Sequence, residues 1–408
     1  MADSAEFKLD NGVTVVYEYI PSTKIVSVQA WIKTGSVNED EKLNGISHFL
    51  EHILFKGTKN FKPDEIDVVV ESAGGVMNAG TSKDFTSYYI TLPEETAETA
   101  FKVISDMIFA ASFIPDEIEK EKPVVLQEIE RKFDNPTYQM FMDAIEVLAA
   151  DTPYRREVIG TAENVRSFTP EMLRKYYESH YHPQNTTLVV AGDITLERVK
   201  TLSKKYFNVK SRVKPSGGYD REWKTTFVSS AEREYKQEIA QDYVLVGYQL
   251  PASAKDAPVY EVLSEILSGG EYSLLNRDLR DKGLVTAAYS FEILNKRAGS
   301  YIIDIAANPN ESGKALSALD KTLQKMSSGK VTEKELERAK NRLKSNVIFR
   351  KEKAGRTASE IGYSYTLDLG DYHRKYISLI DNITLKDIAD TSKAIFSSPR
   401  IVYKTLPK

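Results

Sequence analysis

Two of the five histidines in this 408-residue chain stand four residues apart in Ser47-His48-Phe49-Leu50-Glu51-His52-Ile53-Leu54. On a helix, positions i, i+3 and i+4 share a face, so His48, Glu51 and His52 converge. Phe49, Leu50, Ile53 and Leu54 then supply apolar anchoring around the turn. Two imidazoles one turn apart suit a zinc ion, and a carboxylate beside them suits the proton of an activated water. The order is H-x-x-E-H, the inverse of the commoner H-E-x-x-H zinc motif, and it points to hydrolysis. Ser47 or Asn44 is the expected N-cap of the helix.

Two imidazoles do not complete a catalytic zinc site, which needs three protein ligands and a water. The chain has no cysteine, so nitrogen and oxygen must do the holding. An acidic stretch carries Glu117, Glu119, Glu121, Glu128 and Glu130, and spacing alone does not choose among them. Glu128 has Val124, Val125, Leu126 and Ile129 as neighbours, which suggests a partly buried turn. Glu121, one heptad earlier, falls on the same helical face. By ligand type, manganese or cobalt would be accepted as well as zinc. His180 and His182, beside Tyr181 and Pro183 at a helix-to-strand turn, read as structural histidines.

Size and composition set the frame for this site. A chain of this length exceeds one ordinary core. A hydrophobic fraction of 41%, a charged fraction of 28% and a net charge of -4 describe a globular chain. They exclude a basic nucleic-acid binder and a disordered acidic one. The start, Met1 to Phe7, has neither a basic head nor an apolar run, and no stretch of eighteen apolar residues occurs. No leader and no membrane helix are therefore expected, and a cytoplasmic location is the default.

The positioning elements follow from local pattern. Phe7 to Leu9, a turn at Asp10-Asn11-Gly12 and Val13 to Glu18 predict a hairpin. Val26 to Ile32 alternates as a strand. Further strands are expected at Val76 to Thr81, Phe85 to Leu92 and Thr186 to Gly192. Helices are expected at Asp64 to Ser72, Glu94 to Ala111, Pro115 to Asp134, Thr137 to Ala150 and Thr169 to Ser179. Pro123 predicts either a kink or a new helix start, because it lacks an N–H and crowds the previous turn. Lys214-Pro215-Ser216-Gly217-Gly218 marks a connection. After it the grammar repeats, with a strand at Asp242 to Tyr248. A helix with Leu274, Leu275 and Leu279 stands where the motif helix stood, and Ser300 to Ala306 is the next strand. Helices follow at Lys314 to Met326 and Thr332 to Lys353. The expected division is 1–213 for a catalytic metal-binding domain, 214–235 for a linker and 236–408 for a homologous domain without metal. The fold class is α+β, two tandem domains each with a sheet packed by helices.

Several segments together resemble the pitrilysin and mitochondrial-processing-peptidase family of inverted-motif zinc peptidases, in its short two-domain branch. The carriers are Gly45 to His52, Gly74 to Ala79, Val125 to Ile129, Ile159 to Val165, Tyr181 to Asn185 and Ala191 to Ile194. The resemblance spans nearly the whole chain. It implies that His48, His52 and Glu128 hold zinc, that Glu51 is the base, and that Glu121 is a second acid assisting it. It implies that Asn78 and Ala79 lie on an edge strand that grips substrate by strand addition. It implies that Arg280 and a tyrosine close the site from the second domain. The tyrosine's aligned place holds Thr286, and Tyr289 comes three residues later, so either Tyr289 substitutes or the donor is missing. The two domains are expected to be related by pseudo-twofold symmetry and to close like a clam around unfolded peptides or presequence-like segments. A homodimer, or a heterodimer with a homologous subunit, is expected. The rival expectation is a non-catalytic or partner-dependent core subunit.

Overall fold

A computed structural model describes residues 4–210, 229–251 and 253–408. Its first sheet is built from β1 (Ser4–Lys8), β2 (Thr14–Tyr19), β3 (Ile25–Ile32), β4 (Val76–Thr81), β5 (Thr86–Pro93) and β6 (Thr186–Gly192). Asn-Gly chemistry places the turn between β1 and β2, which pair antiparallel from Ser4↔Glu18 to Lys8↔Thr14. The strand order is β1-β2-β6-β3-β5-β4, with β2 and β6 parallel and β4 at an edge. The second sheet contains β7 (Ala231–Gln237), β8 (Asp242–Leu250), β9 (Ala287–Leu294), β10 (Gly299–Ala307) and β11 (Arg400–Pro407). Its order is β7-β11-β8-β10-β9, with β7 and β11 parallel. Without β1, the first sheet reads β2-β6-β3-β5-β4, so the two sheets share one order and one placement of the parallel pair. The chain is α+β, with two sheets each packed by helices.

Both faces of the first sheet are buried, which explains why its central strands are apolar at nearly every position. Val28, Ala30, Leu188 and Val190 join a large core with Phe49, Leu50, Phe101, Ile104 and Ile118. Their neighbours Trp31, Val189 and Ala191 point the other way, onto Ala358 and Ile361. Those two residues belong to the helix Ala354–Thr366, encoded far along the second half of the sequence. Its Gly362 lies so close that an added Cβ would stand 2.1 Å from the Trp31 ring. The second sheet is covered in the same fashion by the helix Tyr138–Leu148, whose Met140, Ala144 and Leu148 pack with Leu245, Ile302, Ile401 and Tyr403.

Compact packing therefore divides the chain into two interleaved units. One takes the sequence up to Glu130, the stretch from Arg156 through the helix Leu196–Phe207, and Ile348–His373. The other takes Arg131–Arg155, the stretch from β7 to Val347, and Arg374–Lys408. Relative to a single cut near 214–235, each half of the sequence lends one helical segment to the other unit. Residues 211–228, which include the turn-rich part of the expected linker, lie outside the described residues, and 231–235 belong to β7.

One element assignment is corrected, and one of two alternatives at Pro123 is excluded. The helix that follows β8, in the place of the motif helix after β3, is Ala257–Ser268. Leu274, Leu275 and Leu279 instead belong to a short helical segment with a π-type turn at Asn276–Arg280, directly before β9. At Pro123 no new helix starts, because Pro115–Arg131 is one continuous helix. Burial of Ile118, Glu121 and Val125 along one stripe holds it across the missing backbone donor.

Candidate metal centre

The motif helix is Ile46–Ile53, anchored by buried Ile46, Ser47, Phe49, Leu50 and Ile53. Neither Ser47 nor Asn44 caps it. Gly45 occupies the cap position with φ 99° and no side-chain bond. Two of the backbone donors at the helix start are met by Glu39 from an earlier turn. Its buried carboxylate accepts from the Gly45 N–H at 2.8 Å, the Ser47 N–H at 2.8 Å and Asn44 Nδ2 at 2.9 Å. Burial pushes the Glu39 carboxyl up, against the lowering effect of those hydrogen bonds. A Cβ at Gly45 would stand 2.5 Å from the Ile159 carbonyl oxygen, and one at Gly160 would stand 2.2 Å from that of Asn44. The glycines at 45 and 160 let two backbones touch and so fix where the helix begins.

The acidic helix Pro115–Arg131 brings its carboxylates to this helix. Ile118, Glu121, Val125 and Glu128 succeed one another at steps of three and four, which is one face. Glu128 Oε1 lies 3.7 Å from His48 Nε2, and Glu128 Oε2 lies 3.7 Å from His52 Nε2. The imidazole centroids are 4.8 Å apart. Ligand atoms of His48, His52 and Glu128 all lie within 4.8 Å of one another, the one such trio found among the described residues. His180 and His182 turn elsewhere: His180 stacks on Tyr176, and His182 Nδ1 bonds Gln184 at 3.2 Å.

Glu121, the second acid that the resemblance implies, meets His52 and Lys56. Its Oε1 accepts from His52 Nδ1 at 2.8 Å and its Oε2 from Lys56 Nζ at 2.9 Å. Burial acts to raise its carboxyl, but the bonds from His52 and Lys56 outweigh that and leave it below the usual carboxylate range. A carboxylate at Nδ1 keeps the proton there and turns the Nε2 lone pair toward Glu128 and His48. Burial likewise works against a charged His52, while Glu121, Glu51 and Glu128 overcome it and raise the imidazole.

Glu51 stands beside the trio. Burial pushes its carboxyl above the ordinary range. Its Oε2 accepts from Thr81 Oγ1 at 2.5 Å, at the end of the edge strand β4. Earlier on that strand the Asn78 side chain turns back, and its Oδ1 takes the Ala79 N–H at 2.8 Å. Arg280 and Tyr289 belong to the other unit. The Arg280 guanidinium pairs with Glu271 at 2.7 Å and Asp281 at 3.1 Å, and Tyr289 is an exposed ring on β9.

Three contributors escaped sequence reasoning. Thr81 sits inside the glycine-bounded edge segment but carries no motif. Lys56 falls four residues beyond His52, a helical spacing that would have pointed to it. Glu39 gave no signal, because its role depends on a chain reversal before the helix.

The donor set fits zinc: two imidazole nitrogens and one carboxylate, with an excess of negative charge from Glu51, Glu121 and Glu128 around them. Residues 14–162 match the family model described as "Insulinase (Peptidase family M16)", and 167–343 match that of the "Peptidase M16 inactive domain". The chain is 30% identical over 401 residues to the "Uncharacterized zinc protease YmxG" of Bacillus subtilis, covering 96% of this chain and 95% of that protein. It is 30% identical over 384 residues to the "Zinc protease PqqE" of Helicobacter pylori, covering 91% and 86%. A crystal structure of a protease from Helicobacter pylori superposes with a TM-score of 0.88 at 25% identity, over 99% of each chain. Matching nearly end to end with such relatives, the chain belongs to the M16 (insulinase) peptidase family.

Proposed function

We propose that this chain is a zinc-dependent endopeptidase that cleaves unfolded peptides or presequence-like segments. The observation that carries the proposal is the meeting of His48, His52 and Glu128 with Glu51 beside them. When bound, zinc supplies a Lewis acid for the scissile carbonyl and acidifies the attacking water. His48, His52 and Glu128 hold the ion, and Glu121 fixes the His52 tautomer. Glu51 accepts the proton of the water and returns it to the leaving amine. A carboxyl raised by burial is a better base for that exchange than an exposed one. Thr81 occupies Oε2 and orients the carboxylate toward its task. The edge of β4 offers its backbone to an extended peptide, provided Asn78 releases the Ala79 N–H.

Metal analysis paired with cleavage of a quenched fluorescent peptide tests this reading. Stoichiometric zinc and chelator-sensitive cleavage are expected. Zinc at full occupancy with no cleavage of any unfolded peptide would overturn it. One observation favours a second reading, a subunit active only with a homologous partner. At the aligned tyrosine's place, Thr286 has its hydroxyl bonded to the Ala306 carbonyl at 3.1 Å, within the second sheet. Cleavage that begins only when a homologous chain is added selects this alternative, as does a heterodimer rather than a homodimer in sedimentation. A cytoplasmic location belongs to the same proposal and is tested by fractionation. No helix among the described residues is long and apolar enough to cross a membrane.

A further inference from the structure

The backbone keeps turning past the end of the motif helix. The Phe55 N–H donates to the His52 carbonyl at 3.3 Å, and the Lys56 N–H to that of Ile53 at 2.9 Å. Lys56 therefore follows His52 by about one turn and comes down on the same side. Its Nζ donates to Glu121 Oε2 at 2.9 Å, while Glu121 Oε1 accepts from His52 Nδ1 at 2.8 Å. A single carboxylate thus spans the two side chains, and both of its oxygens are engaged.

Burial distinguishes this contact from a passing surface ion pair. The Glu121 side chain is 7% exposed and that of Lys56 is 33% exposed. A carboxylate so enclosed needs its charge answered where it stands. Among the described residues, Lys56 is the one lysine or arginine paired with it. The terminal torsion of a glutamate is soft, so a carboxylate held at one oxygen can swing. Held at both, Glu121 presents Oε1 to the imidazole in one orientation.

We propose that Lys56 is a positioning residue of the metal centre: it pins Glu121 Oε2, and Glu121 in turn holds His52 ready for zinc. The proposal rests on the peptidase reading only for the identity of the ion. Its sign separates it from the effect of a bystander charge. A cation that merely lies near a divalent ion repels it, so removing that cation would tighten zinc binding. A tether acts the other way, because its removal loosens a ligand and weakens binding.

Zinc affinity, read by competition with a chelating dye, is compared for the full-length protein and its Lys56→Met, Glu121→Gln and doubly substituted variants. Methionine keeps an unbranched stem and removes the ammonium. Lys56→Met should bind zinc about tenfold more weakly, the low end for partners of a metal ligand. Because Lys56 acts through Glu121, the double variant should bind no more weakly than Glu121→Gln alone. Lys56→Arg, which keeps the charge and the donors, should restore most of the affinity. In the metal-free protein, NMR of isotopically labelled histidine should show the His52 proton held on Nδ1 in the parent and shared between both nitrogens in Lys56→Met. Unchanged or tighter zinc binding by Lys56→Met, or losses that add in the double variant, would overturn the proposal. Should Lys56→Met not fold, because it strands a buried carboxylate, the comparison of Glu121→Gln with the double variant decides alone. Zinc held by the parent without any cleavage would sink the peptidase reading and leave this one standing.

Discussion

His52 is gripped at one ring nitrogen by Glu121 and offers the other to the candidate ligand set. Glu121→Gln should therefore weaken zinc binding about 10- to 100-fold while leaving the fold intact, measured by competition with a chelating dye. Unchanged affinity would mean that packing alone orients the ring. Glu51→Gln should retain zinc and lower turnover by about 10²- to 10⁴-fold. Asp304, on β10, has an Oδ1 sealed from solvent without a hydrogen-bond partner, and there the sign of the pH effect is opposite to that of a salt-bridged acid. Its carboxyl rises from 3.8 to about 6, so the folded state binds more protons across that window. Stability should fall as pH rises from roughly 4 to 6 and then level off. Asp304→Asn should remove that slope and be more stable at pH 7 by at most roughly 2–3 kcal/mol, measured by urea unfolding at both pH values. The H-x-x-E-H triad was legible from spacing because a helix fixes its own geometry. The choice of Glu128 came from resemblance, since which acids of one helix meet another helix is decided by tertiary packing. Thr81 and Asp304 were hidden for the same reason: each matters through a neighbour remote in sequence.

At the level of elements, local pattern placed the strands and most helices of the first sheet, because apolar periodicity and turn residues act over a few positions. It failed where non-local contacts decide. The cap of the motif helix comes from Glu39 rather than from Ser47 or Asn44. In the second half, leucine spacing drew attention to Leu274 and Leu279, whereas Ala257–Ser268 holds the place after the first central strand. The Gly45–Gly160 contact yields a prediction of its own. Gly45→Ala must strain a left-handed backbone and push on the Ile159 carbonyl, so a loss of at least about 2 kcal/mol is expected. Thermal unfolding checks this, and an unchanged melting temperature would show that the two loops can part freely.

Over the whole molecule, the shared strand order makes the internal duplication plain, and repeated patterning had indicated it before. The exchange of helices could not be read, because amphipathic spacing reveals that a face is apolar and not which sheet it covers. Residues 1–213 expressed alone would lack the helix that covers Trp31, Val189 and Ala191. That fragment should be aggregation-prone and show no cooperative unfolding. A peptide spanning 348–373, added in trans, should restore a transition. Cooperative melting of the bare fragment would show that the borrowed helix is dispensable.

The same borrowing sets a timetable for the nascent polypeptide. Strand β6 leaves the ribosome long before Ala354–Thr366 is translated, a delay of about 10 to 30 seconds at ordinary synthesis rates. Throughout that interval one apolar side of the sheet has no lid from its own chain, so holdase chaperones should be found on arrested chains of intermediate length. The polypeptide can close over its first sheet only after Ala354–Thr366 has been made, which ties maturation of the candidate metal-ligand helices to synthesis of that distant segment.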